Sequence, residues 1–205
     1  MKKDEAGAGM LWNTPFSQFV RGEISVGKTW VFGRKSGQTI ATRFVAGAGY
    51  AYGNSSALPF EKHFYVGGSN SMRGWQARTL GPGLSERDRN FVIPNQTGDM
   101  RLEANIEYRF DIYWKFAGAL FIDAGNVWTL QGSDNELGRF RWSTLGKSMA
   151  ANWGVGLRLD FDFLLLRLDL GMRVHDPARS NRWVGPKDWL KKDGYALHFG
   201  VGYPF

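Results

Sequence analysis

The chain has 205 residues, a length that fits one domain, with no Cys and a formal net charge of +7 at pH 7. The lack of Cys excludes disulfide frameworks, Cys-ligated metals and Cys nucleophiles. The sequence contains no run of about 18 apolar residues, so it predicts no transmembrane helix. Residues 1–5 are not followed by the apolar stretch of a signal peptide. The positive charge favours nucleic acid, anionic lipid or an acidic sugar phosphate as a partner.

Alternating apolar and polar residues predict a series of strands. In residues 99–111 every apolar side chain from Met100 to Phe110 takes one face, and every polar one from Arg101 to Asp111 takes the other. Such alternation is typical of β-strands with one wholly apolar face. The predicted strands cover residues 18–32, 38–52, 99–111, 114–128, 151–163, 164–174 and 195–205. Residues 1–16 read as a lead-in or the end of a preceding strand, and residues 6–12 fit part of an eighth strand.

Strand length and connections indicate a transmembrane barrel. The strands run to roughly 11–15 residues, as a tilted strand needs to cross a bilayer, whereas soluble strands usually have about 5–6. Short turns near 33–37, 111–114 and 162–165 alternate with long segments at 53–98, 129–149 and 175–193. Outer-membrane barrels have short periplasmic turns and long external loops. We therefore predict an all-β, antiparallel transmembrane β-barrel wall over residues 17–205.

Aromatic residues at the ends of the apolar faces support the same prediction. In a barrel these positions form the girdle at the membrane interface. The predicted girdle residues are Trp30, Phe32, Tyr50, Trp114, Trp153, Tyr203 and Phe205. The apolar faces then meet lipid, and the polar faces line a lumen.

The longest connection, residues 53–98, carries a distinctive motif. The motif covers residues 64–75. Its glycine pair permits a tight backbone turn, and its one Arg, Arg73, stands between Met72 and Gly74. This arrangement suggests a side chain that inserts into an enclosed site, although an Arg exposed on a surface loop is the alternative. The candidate functional residues of the loop are Gly67, Gly68, Met72, Arg73, Gly74 and Trp75.

The polar faces offer an acidic destination for Arg73. Most of their charged groups should pair with one another, because an unpaired buried charge is costly. Asp123 differs, since its inward neighbours on the same strand carry no charge, and Glu107 on the preceding strand could lie near it. A guanidinium suits two-point contact with carboxylates. We therefore predict that Asp123 and Glu107 bind Arg73.

Four segments resemble the BamA/TamA-like superfamily of outer-membrane assembly barrels, the bacterial surface antigen family. They are the loop motif at 67–75, the strand at 100–110, the Phe-Ile-Asp-Ala-Gly-Asn-Val-Trp strand at 121–128 and the aromatic C-terminus. The resemblance covers the chain from about residue 17 to its end. It implies that the loop Arg folds into the lumen and pairs with Asp123 and Glu107. It also implies a weak lateral seam at the C-terminal strand, with Gly200, Gly202 and Phe205 as its residues and a kink at Gly202.

The resemblance further implies a function and partners. It implies insertion or export of other β-barrel proteins at the bacterial outer membrane, without ATP, cofactor, metal or a catalytic group. Its implied partners are unfolded outer-membrane clients, with POTRA domains and accessory subunits outside this chain. Outer-membrane lipid and lipopolysaccharide, rather than nucleic acid, are expected at the basic external loops. The basic residues in question are Arg139, Arg141, Lys147, Arg179, Arg182, Lys187, Lys191 and Lys192.

Three departures from the family pattern qualify these expectations. Trp75 replaces the usual Phe or Tyr after Arg-Gly, and the turn at 162–165 lacks the common Pro-Leu-Gly-Pro. The family barrel has sixteen strands after its POTRA repeats, so the seven or eight strands here correspond to its C-terminal half. We expect an open, curved sheet.

Three other functional classes are weighed against an assembly factor. An enzyme is disfavoured because His63, His175 and His198 are scattered and show neither a Ser-His-Asp order nor a metal-ligand spacing. A passive outer-membrane pore is the second class. A two-partner-secretion-type exporter shares the same motifs and is the third.

Overall fold

The computed structural model describes residues 2–3, 9–12, 14–32, 37–86, 96–132, 135–161 and 163–205. Its strands in chain order are β1 Lys2–Lys3, β2 Gly9–Leu11, β3 Thr14–Pro15, β4 Gln18–Phe32, β5 Gln38–Tyr52, β6 Met100–Tyr113, β7 Phe116–Trp128, β8 Ala150–Asp160, β9 Leu165–His175 and β10 Tyr195–Val201. Its helical segments are the 3-10 turns Phe60–Lys62, Trp142–Thr144 and Pro186–Asp188 and the short α-helix α1, Leu145–Ser148. None of these described helices has the length and apolarity to cross a membrane.

The seven long strands form one antiparallel meander. Their order in the sheet is β10-β9-β8-β7-β6-β5-β4, so every strand pairs with its neighbours in sequence. β4 and β5 have 15 residues each, whereas β10 has 7. The predicted all-β antiparallel fold with seven long strands is confirmed, and β4 and β10 are the two edges of the sheet.

The N-terminal segment does not extend this sheet in the part of the chain that the structure describes. β2, which covers part of the predicted eighth strand, pairs with β1 and β3 in a separate three-stranded sheet. Residues 6–8 lie outside the described residues. So do residues 33–36 of the first predicted turn and Asp162 of the third.

The two faces of the long sheet have the polarity of a membrane wall. Outward aliphatic side chains are exposed, with Ile106 at 51% and Ile122 at 59%, while inward Glu107 and Asp123 are fully buried. A soluble sheet would show the opposite, because water would cover the charges and protein would cover the aliphatic residues. This inversion fits a lipid-facing exterior and a polar lumen.

The C-terminus corrects two predicted girdle residues. β10 ends at Val201, and Gly202 has a left-handed backbone with φ +78°. Beyond it the Tyr203 ring lies 4.2 Å from Arg109 Cζ, and Arg109 Nη2 donates to the Phe205 carbonyl at 3.1 Å. Because Arg109 is on the inward face, Tyr203 and Phe205 turn toward the lumen. Their assignment to the lipid girdle was wrong, since the left-handed residue breaks the two-residue alternation.

Gly202→Ala is expected to weaken this inward turn by about 1–2 kcal/mol, because a residue with a Cβ is disfavoured in the left-handed region. A Cβ built there meets no described atom within 4 Å, so the cost is conformational rather than a clash. The residue 202 amide donates to the Leu165 carbonyl at 2.8 Å, and its hydrogen exchange in the full-length protein measures the effect. Gly22→Ala, at a strand glycine with open space around it, is the matched control. Equal exchange at residue 202 in both variants would contradict the expectation.

Candidate functional site

The connection between β5 and β6 packs on the inward face of the sheet through a hydrophobic cluster of its own. This loop cluster consists of Phe64, Val66, Met72, Trp75 and Leu80 from the connection, with Val127 and Ala150 from the wall. Met72 and Trp75 are at most 1% exposed. The bulky residues on either side of Arg73-Gly74 therefore hold the loop against the wall.

The glycine pair sets the course of the loop. Gly67 and Gly68 both have φ +96°, and the Gly68 amide donates to the Trp75 carbonyl at 2.8 Å. A Cβ on Gly67 would lie 2.3 Å from the Gln76 carbonyl oxygen, so this position excludes any side chain. Ser71 Oγ accepts from the Gly67 amide at 3.2 Å and donates to Glu103 at 2.7 Å. The turn is thereby tied to the wall just before Arg73.

Arg73 is fully buried between two carboxylates. Its Nη2 donates to Asp123 Oδ1 at 2.9 Å, while its Nε and its backbone amide each donate to Asp123 Oδ2 at 3.1 Å. Its Nη1 donates to Glu107. The Phe121 ring lies under the guanidinium, 3.6 Å from Cζ. The structure thus brings together the three residues that the sequence analysis selected.

Neighbouring groups complete the hydrogen bonding of both acids. Asn105 and Asn152 donate to Asp123 at 3.0 and 2.9 Å, and Arg109 Nε donates to Glu107 at 2.7 Å. Buried carboxylates are stable only when their oxygens are satisfied in this way.

Burial alone would lower the pKa of Arg73, but Asp123 and Glu107 outweigh it and raise that pKa above its ordinary value. The loop Arg therefore stays charged at any physiological pH.

Comparisons with known proteins identify the family of this chain. The family model described as the Omp85 superfamily domain matches residues 8–205. The chain belongs to the Omp85 superfamily. It is similar to the outer membrane protein assembly factor BamA of Neisseria meningitidis serogroup B, with 29% identity over 110 residues, which cover 49% of this chain and 13% of that protein. The solved structure of CdiB from Acinetobacter baumannii has a TM-score of 0.49 and 14% identity, over 90% of this chain and 27% of that one.

This Omp85 chain is part of an outer-membrane β-barrel protein, as its sequence predicts. It spans well under half the length of either protein compared above.

The predicted seam residues of this Omp85 chain lie at β10 and beyond it. Gly200 faces inward, where a Cβ would come within 2.5 Å of Arg167 Nε, and Gly202 forms the kink. The Phe205 ring reaches 5.8 Å from Arg73 Cζ. The C-terminus and the docked loop are therefore neighbours in the lumen, which the sequence analysis did not predict.

Several contacts of the Omp85 loop were missed by the sequence analysis. Arg173 Nε donates to the Gly74 carbonyl at 2.9 Å, and its guanidinium lies 4.9 Å from the Trp75 ring. A Cβ on Gly171 would lie 2.1 Å from the Arg73 carbonyl oxygen, so the loop backbone rests directly on β9. One signal was present in the sequence, since Gly171 stands on the polar face between Asp169 and Arg173.

The three histidines of the chain lie in different surroundings. His63 Nδ1 is 3.2 Å from Thr97 Oγ1, and His175 Nδ1 is 2.6 Å from the Met149 carbonyl oxygen. His198 lies within β10, directly opposite Asp169 of β9. His198 lies at the Arg73 backbone, whereas His63 and His175 contact other segments.

Proposed function

We propose that this chain forms part of the barrel wall of an outer-membrane protein-assembly or translocation factor. The factor works without an energy source, through the docked Arg73 loop and a lateral seam at β10. The observation that carries the proposal is the complete burial of Arg73 between Asp123 and Glu107. Membership of the Omp85 superfamily and the similarity to an assembly factor support it.

The loop ties four consecutive strands together. Ser71 bonds Glu103 of β6, Arg73 bonds Asp123 of β7, and Arg173 of β9 bonds the Gly74 carbonyl. At β8, a Cβ on Gly74 would lie 2.7 Å from the Cβ of Asn152. A bundle of buried hydrogen bonds across adjacent strands resists their relative movement. We infer that β6–β9 form a stiff section of the wall.

β10 lies beyond this stiff section and is suited to open. It is the shortest strand of the long sheet, and it ends at the Gly202 kink. An edge strand offers unpaired backbone groups to an incoming strand, which binds by main-chain hydrogen bonding. In the proposed function a client strand pairs at this edge while the loop holds the rest of the wall in shape. Strand addition of this kind uses no catalytic group, cofactor or metal.

Arg73→Ala in the full-length protein is expected to abolish client assembly while the barrel itself still reaches the membrane. The reason is that the stiff section loses its central ion pair. The measurement is the amount of folded outer-membrane client in cells that depend on the variant, normalised to the amount of folded variant barrel. Arg139→Ala is the matched control, because Arg139 is an exposed external Arg that pairs with Glu136 at 2.9 Å.

The other outcomes of this experiment separate the functional classes. Unchanged client levels with altered membrane conductance would favour a passive pore over the proposal. Loss of a secreted partner with normal membrane clients would favour an exporter. Unchanged results in every assay would contradict a functional role for the docked Arg.

A further inference from the structure

The loop between β9 and β10 does not stay above the lumen. Trp189 packs edge-on against Trp153, with ring centroids 5.2 Å apart. Trp153 lies on the outward face of β8, the face that also carries the exposed residues Val155 and Leu157. The Trp189 indole is fixed in place, because its Nε1 donates to the Val184 carbonyl at 3.0 Å. This loop therefore leans over the lipid-facing side of the wall.

The burial of a neighbouring outward residue supports this position. Met172 lies directly opposite Trp153 of β8 and Tyr195 of β10. It is only 8% exposed, whereas Leu168 on the same face of the same strand is 45% exposed. The outward face is thus covered at the end of β9 from which the loop departs and bare farther down.

The tip of the loop between β9 and β10 combines one apolar side chain with several cations. Leu190, next to Trp189, is 72% exposed. Lys187, Lys191 and Lys192 surround it in sequence and are exposed as well. Lys191 pairs with Asp188 at 2.8 Å, while no ion pair of Lys187 or Lys192 is found within the described residues. Two cations therefore remain for an outside partner.

We propose that residues 186–192, the interfacial segment, bind the outer leaflet of the membrane. Trp189 and Leu190 lie at the boundary of the acyl chains, in continuity with the lipid-facing wall. Lys187 and Lys192 bind phosphate groups of the lipid A headgroup. An aromatic ring with an adjacent aliphatic residue suits this boundary, and lysine side chains extend from it to the headgroup level. Long loops of outer-membrane barrels face outward, where phosphorylated lipid A is the anionic lipid.

The interfacial segment lies in the connection from β9 to β10. It therefore anchors the wall to lipid immediately beside the strand at the sheet edge. Three other basic external residues are already paired within the protein, Arg139 and Arg141 with Glu136 and Arg179 with Asp176. The interfacial segment differs from the rest of the basic external surface because its lysines flank a tryptophan that packs on the outward face of the wall.

A spin label at position 190 tests the depth of the segment. The chain has no Cys, so Leu190→Cys introduces a single labelling position within it. The full-length protein, with any Cys elsewhere replaced, is labelled and reconstituted into bilayers that contain lipid A. The label should then be accessible to oxygen and shielded from a water-soluble nickel chelate. Leu137→Cys is the matched control, since Leu137 is a 59% exposed leucine of another external loop and should show the reverse. A label at 190 that the chelate reaches freely would overturn the proposal.

The headgroup is tested by comparing lipids in nanodiscs. Enrichment of diphosphorylated lipid A around the full-length protein should fall about 25-fold in the double variant Lys187→Gln, Lys192→Gln. The reason is that each interfacial lysine is expected to contribute a factor of about five to the enrichment. Lys147→Gln, an exposed lysine on α1, should leave it unchanged, and lipid A without phosphates should show no enrichment. Equal enrichment of both lipids would overturn the phosphate site even if residue 190 is inserted. A label at 190 that is wet in lipid alone and shielded only with outer-membrane proteins present would identify a protein partner instead.

Discussion

Arg73→Ala is expected to release the loop from the lumen, at a cost of about 3–5 kcal/mol, because Asp123 and Glu107 would be left as buried charges without their cation. The effect should appear in the amides that hold the loop together rather than across the whole barrel. The Gly68 amide donates to the Trp75 carbonyl and the Arg78 amide to the Val66 carbonyl, so their hydrogen exchange in the full-length protein reports the docked state. Both amides should exchange several hundred-fold faster or more.

Arg73→Lys separates the charge of the side chain from its shape. The arginine reaches both oxygens of Asp123 and one of Glu107 with three nitrogen atoms in one plane. An ammonium is a compact point charge that cannot reproduce this fork. We expect Lys to restore part of the lost exchange protection and Arg139→Ala to leave that protection unchanged. Full protection with Lys would show that charge alone docks the loop.

Gly171→Ala is expected to lift the loop without removing any charged group. A Cβ at this position would lie 2.1 Å from the Arg73 carbonyl oxygen and 2.8 Å from the Gly74 amide nitrogen, both of which are backbone atoms. Backbone held by Asp123 and Arg173 cannot move aside cheaply, and overpacking costs about 1–3 kcal/mol or more. The same loop amides should lose protection, and client assembly should fall with them.

Gly22→Ala is the matched control for this variant. It makes the same chemical change in a long strand of the same sheet, at a position with no described atom within 4 Å of the new Cβ. Loop exchange should therefore stay unchanged in Gly22→Ala. If Gly171→Ala also leaves the loop amides protected, the close approach of loop and strand is not a feature of the folded protein.

The sequence predicted the wall well because strand faces depend on neighbours along the chain. β4 and β5 begin and end where the alternation of apolar and polar residues begins and ends. The pairing of Arg73 with Asp123 and Glu107 could also be predicted, because Asp123 has no charged inward neighbour on its own strand and Arg73 stands between an apolar residue and a glycine. These inferences needed no knowledge of depth or register.

The missed features depend on register across the sheet. Asn105 and Asn152 reach Asp123 because both lie directly opposite it on the two adjacent strands, and alternation along one strand cannot show this. Gly171 and Arg173 meet the loop two strands away from Asp123. The inward turn of Tyr203 and Phe205 follows from one left-handed residue, Gly202, after which the two-residue period no longer applies.

The most direct test of the docked loop is a double-mutant cycle on Arg73→Ala and Asp123→Ala in the full-length protein. The measured quantity is the free energy of loop opening from exchange of the Gly68 and Arg78 amides in each single variant and in the double variant. We predict a coupling energy of about 2–3 kcal/mol between the two substitutions, as for groups in one buried network. A coupling energy near zero would contradict the account, because the two side chains would then stabilise the protein independently.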